Sequence, residues 1–112
     1  MKIVEEVTKK GDLAKSAEVF DGPMVKGVVD VEKGLLAVDA PLHADLEKML
    51  LENGSRQDDL WGINLWFEDE GEDLIEFDSM INVRPRQGNR TRDVEDPEVR
   101  AKIVEIVEKW IQ

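Results

Sequence analysis

Four arginines, Arg84, Arg86, Arg90 and Arg92, fall within nine consecutive residues that contain no acid, in a chain whose formal net charge is -11. The stretch reads INVRPRQGNRTR, residues 81–92. A guanidinium is a planar fork of donors that matches carboxylate and phosphate. The nine lysines all lie elsewhere, so solubility alone does not account for the residue choice. Pro85 ends strand pairing, and Gly88-Asn89 permits a turn with positive φ. The arginines are therefore expected on a shaped loop. Three readings fit it. The loop binds an anion, such as phosphate, a nucleotide or a nucleic-acid backbone; or it clamps the acidic 93–98 stretch and the Asp58-Asp59 turn of its own chain; or it does the same to a second subunit, as a structural homodimer. No Walker-type spacing supports a nucleotide motif. In the first reading Arg84, Arg86 and Arg90 supply charge-assisted hydrogen bonds. Gln87 and Asn89 supply neutral ones, Asn82 adds an amide, and Trp66 stacks.

Other residues offer different chemistry. His43, the one histidine, stands near Asp45 and Glu47, and a histidine with a carboxylate can act as a general base. Glu76 and Asp78 are two apart, so on a strand they share a face and could divide acid and base roles. These residues carry the rival reading, a hydrolase-type enzyme with arginine holding its substrate. Against it, neither Ser55 nor Ser79 is framed by a GxSxG elbow. No EF-hand or metal-hydrolase spacing surrounds the acids, and no metal or cofactor is expected. A lone helical histidine is more often a surface or packing residue.

These residues need elements to position them. KIVEEV (2–7) suits a short edge strand or a helix start. In 12–20, Leu13, Ala17 and Phe20 recur at helical spacing behind Asp12 as a candidate N-cap, and Asp21-Gly22-Pro23 ends the segment. MVKGVVDV (24–31) and GLLAVDA (34–40) flank Glu32-Lys33-Gly34 as a hairpin with glycine in the left-handed position. PLHADLEKMLLENG (41–54) has an apolar stripe of Leu42, Leu46, Met49 and Leu50 and a stop at Asn53-Gly54. LWGINLWF (60–67) and LIEFDSMINV (74–83) flank the acidic loop EDEGED as a second hairpin. Alternation there puts Asn64, Trp66, Glu76, Asp78, Met80 and Asn82 on a polar face. DPEVRAKIVEIVEKWIQ (96–112) begins with Asp96 as cap and Pro97 in the first turn. The expected fold is α+β, one domain over 1–112. It is a mainly antiparallel four- to five-stranded sheet built from two hairpins, with three helices packed on one face.

Composition bounds the class. There is no cysteine, which excludes a disulfide framework and thiol chemistry. No apolar run approaches the roughly 20 residues of a membrane span, and MKIVEEVTKKGD lacks the apolar core of a signal peptide. A cytoplasmic protein with no membrane partner is expected. Charged residues reach 37%, a balance that suits a thermophile. The acidic excess repels nucleic acid from most of the surface and leaves only local contact.

The pieces LHADLE, GSRQDDLWG, IEFDS and INVRPRQGN resemble a family of small prokaryotic proteins known only as a domain of unknown function. The resemblance runs from about residue 20 to the end of the chain. It implies a compact cytosolic domain and brings no activity, cofactor or catalytic residue. The leading expectation is a small binding or regulatory domain that uses the arginine loop for an anionic ligand or an acidic partner.

Overall fold

A computed structural model describes residues 1–17, 24–67 and 74–112, the side chains of 14–17 excepted. Among them are five strands and three α-helices: β1 (Lys2–Ile3), α1 (Lys10–Ala17), β2 (Met24–Asp30), β3 (Leu35–Val38), α2 (His43–Glu52), β4 (Leu60–Trp66), β5 (Ile75–Glu76) and α3 (Pro97–Trp110). The strands form one antiparallel sheet in the order β1-β3-β2-β4-β5. The α+β reading and both hairpins are present. Of KIVEEV, Lys2–Ile3 forms a strand, at the sheet edge. Phe20, the Asp21-Gly22-Pro23 stop and the EDEGED loop lie outside the described residues.

The local chemistry of the first hairpin is clear. Gly34 has φ 71°, as the turn requires. The buried Asp30 carboxylate accepts the backbone N–H groups of Glu32 and Lys33, both at 2.9 Å, and the Ser55 hydroxyl at 2.6 Å. One acid thus shapes the turn and ties it to the end of α2. α2 stops at Asn53, followed by Gly54 at φ 97°. At α3, Asp96 accepts the Glu98 N–H and Pro97 occupies the first turn. The Trp110 indole N–H donates to the Gly34 carbonyl at 2.9 Å and joins the last helix to the β2–β3 turn. α1 starts at Lys10, so Asp12 lies in its first turn rather than at its cap.

The helices do not share one face of the sheet, as expected from the alternation, but divide between two. Val25, Val29, Leu36, Val38, Ile63 and Leu65 pack with Leu13 of α1 and with Ile103 and Val107 of α3. Val28, Ala37 and Leu60, which point the other way, pack with Leu46 and Leu50 of α2. The physical reason lies in the strands themselves. VVD and LLAV place apolar residues at successive positions, so both faces must be covered. Covering the second face with α2 brings that helix over the polar residues of β4.

Candidate functional site

After β5 the chain forms no further strand against β4. Side chains complete the edge instead. Asn82, fully buried, accepts the Gly62 N–H at 2.8 Å through Oδ1 and donates through Nδ2 to the Gly62 carbonyl at 2.9 Å. Its carboxamide stands in for a peptide group of the missing strand. Nδ2 also reaches the Arg92 carbonyl at 3.0 Å. One step further along β4, the Arg84 guanidinium donates to the Leu60 carbonyl. The residues before Asn82 form a 3-10 turn (Met80–Asn82) capped by Ser79, whose Oγ accepts the Ile81 N–H. Met80 is exposed and Asn82 buried, so the alternation expected through 74–83 holds only as far as β5.

Arg84 is built into this edge. Its Nε–H donates to the Ile81 carbonyl at 2.9 Å and its Nη1 to Gln87 Oε1 at 3.2 Å. The guanidinium lies 4.7 Å from the centroid of Trp61 and 3.9 Å from Glu47 of α2. That last distance is Coulombic contact rather than a hydrogen bond, and Glu47 Oε2 has no hydrogen-bond partner among the described residues. Burial pulls Arg84 below its ordinary pKa, and the fields of Glu47, Asp58 and Asp59 pull it back up. The side chain wraps the sheet edge, touching Trp61 of one core and Glu47 above the other.

The loop itself is closed by paired backbone bonds between Arg84 and Asn89, at 2.7 and 3.1 Å. Between them lie a 3-10 turn (Pro85–Gln87) and Gly88 at φ 79°. Gln87 Nε2 donates to the Asp58 carbonyl at 3.0 Å. Buried Asn89 donates to the carbonyls of Asn82, Thr91 and Asp93 and accepts the Glu95 N–H. Glu95 in turn accepts the backbone N–H groups of Arg90 and Thr91, at 2.6 and 3.0 Å. Those bonds hold its carboxyl below the ordinary carboxylate value. Arg92 pairs with Asp78 at 2.6 Å, and Arg100 with Asp93 at 2.8 Å. Arg86 and Arg90 are exposed, and neither guanidinium makes an ion pair with a described residue.

Of the residues of the rival reading, Glu47 lies at Arg84 and Asp78 pairs with Arg92, while His43 and Glu76 lie toward the other end of β4. His43 Nε2–H donates to the Ile63 carbonyl at 2.8 Å, which leaves Nδ1 as the acceptor in the neutral ring. Burial lowers its pKa below 6.5, the nearby Lys26 adds to that, and Ile63, Asn64 and Asp78 oppose it. Asn64, on the α2 side of β4, is 6% exposed and donates to Glu76 Oε1 at 2.8 Å and to the Asp78 carbonyl at 3.2 Å. The Trp66 indole N–H also points at Glu76 Oε1, at 3.3 Å. Leu60, beside Arg84, and Trp66 are the two ends of a seven-residue strand, about 20 Å apart at ~3.3 Å per residue. The structure brings Arg84, Gln87, Asn82 and Asn89 together, leaves Arg86 and Arg90 at the surface of that loop, and separates Trp66 from Arg84. Ser55 and Ser79 are both buried in structural bonds. The residues missed in sequence were Asp30, a turn cap whose aspartate-before-turn signal was legible, and Gly62, whose role depends on Ser79.

This is an α+β domain with two exposed arginines, neither in an ion pair with a described residue, on a loop fixed by amides. The chain belongs to the family described as Protein of unknown function (DUF5674), whose model matches residues 2–110. No curated protein and no solved structure matches it.

Proposed function

We propose that the protein is a small binding domain in which Arg86 and Arg90 engage a polyvalent anion, an acidic protein segment first among them. The observation that carries this reading is their exposure without an ion pair to a described residue, although the Arg90 charge lies in the field of Glu95, in a chain of 26 acids and 15 bases. The neighbouring Arg84 and Arg92 both face carboxylates of their own chain. Asn82, Gln87, Asn89 and Glu95 hold the loop in one shape before any partner arrives, so little ordering entropy opposes binding. Both guanidiniums are open to solvent, where a single ion pair contributes at most about 1 kcal/mol. A partner with several negative charges suits such a surface better than a single carboxylate.

The test is an amide-shift titration with an oligoglutamate peptide and, separately, inorganic phosphate. Salt-sensitive shifts over residues 84–92 are expected. An Arg86→Ala/Arg90→Ala double variant should lose them while its Tm stays within about 2 °C of the parent. Arg84→Ala should instead lower the Tm by several degrees. No response of the loop to either probe, or a double variant that binds as the parent does, rejects the reading.

A further inference from the structure

On the face of the sheet opposite α2, between β5, α3 and the start of α1, the structure contains a cavity of about 620 Å³. That is within the ~300–1,000 Å³ typical of small-molecule sites. Its wall is mainly apolar, formed by Leu74, Ile75, Phe77, Val104, Val107 and Ile111. Three charged residues also line it: Lys10, Arg100 and Glu108. Arg100 is already engaged, since it stacks on Phe77 at 4.3 Å and pairs with Asp93. Its guanidinium therefore serves as a fixed part of the wall. Lys10, a half-buried residue, makes no ion pair with a described residue. A cation at the rim of an apolar wall can pair with an anion whose hydrocarbon part the wall covers. With Arg100 offset by Asp93, Lys10 and Glu108 are the charges left on the wall. Glu108 disfavours a dianion such as a phosphate monoester.

We propose that this cavity binds an amphipathic monocarboxylate, its hydrocarbon part against Phe77, Val104 and Ile111 and its carboxylate at Lys10. The site shares no residue with the arginine loop and stands or falls separately from it.

The probe is decanoate below its micellar concentration, titrated into labelled full-length protein, with decyltrimethylammonium as the opposite-charge control. Saturable shifts centred on Ile75, Phe77, Val104 and Ile111 are expected with decanoate, and much weaker ones with the cation. Lys10→Glu lies at the start of α1, so the fold should survive, and circular dichroism checks that. It should weaken decanoate about tenfold, the scale of one charge-assisted hydrogen bond. Val104→Trp, which fills the cavity, should abolish the shifts. The proposal is overturned if decanoate leaves these residues unmoved, if the cation binds equally well, or if Lys10→Glu binds as the parent does. Decanoate shifts confined to residues 84–92 would overturn it too, while supporting the loop.

Discussion

Asn82 shows how one side chain can do the work of a strand. Its carboxamide satisfies both backbone groups of Gly62 and the carbonyl of Arg92. Asn82→Ala would leave both backbone groups of Gly62 buried and unpaired, while the Arg92 carbonyl keeps the Ser79 N–H. A loss of about 3 kcal/mol is expected in urea denaturation, since each unsatisfied group costs roughly 1–3 kcal/mol. Asn82→Asp keeps the acceptor and loses the donor, so it should not restore stability. His43 makes a prediction in pH. Its folded pKa is lowered, chiefly by burial, so the unfolded chain takes up the proton first as pH falls. The contribution of neutral His43 is complete above pH 6.5 and is lost as the pH drops through and below that value. Replacing it with Gln, which keeps a donor for Ile63, should flatten the stability profile just below pH 6.5. An unchanged profile would mean that other groups set it.

At the scale of elements, β4 and the segment that follows β5 depend on a missing side chain. A Cβ on Gly62 would sit 2.6 Å from both Cβ and Oγ of Ser79 and 3.1 Å from Ile81 Cγ1. The Ser79 turn crosses the α2 side of β4 only because position 62 is empty there. Gly62→Ala should cost about 1–3 kcal/mol by overpacking and should shift amides from Ser79 to Arg84. If chemical denaturation shows no loss, the turn can move away without consequence. α2 has its own logic. Its inward side carries Leu46 and Leu50 into the core and sets His43 and Glu47 along the polar border of β4. The same helix that closes the second face therefore fixes both candidate polar groups.

For the whole molecule, charge decides how environment acts. A net charge of -11 makes the folded state repel itself. Added salt should raise the Tm, because the Debye length falls to about 10 Å at ~0.1 M. The same salt should weaken oligoglutamate binding at Arg86 and Arg90. Opposite signs from one variable separate the bulk field from the local site. Parallel responses would show that the loop does not act as a distinct basic surface. Among the described residues no helix is long and apolar enough to cross a membrane.

Short-range signals along the chain set the local pieces. Gly34, Asn53-Gly54 and Asp96-Pro97 stop, turn and cap where backbone chemistry requires, and each signal lies within a few residues of its effect. The two hairpins followed from such signals, and so did the presence of a shaped arginine loop. The α2-covered face was partly legible in the unbroken runs VVD and LLAV, although alternation in 60–67 and 74–83 pointed to a polar face instead. Which arginines are engaged follows from long-range packing. Arg84 and Arg86 are two residues apart in the same composition. One wraps the sheet edge against Leu60, Trp61 and Glu47, and the other faces water. That difference depends on partners 20 or more positions away along the chain, which meet only when α2 and β4 have packed.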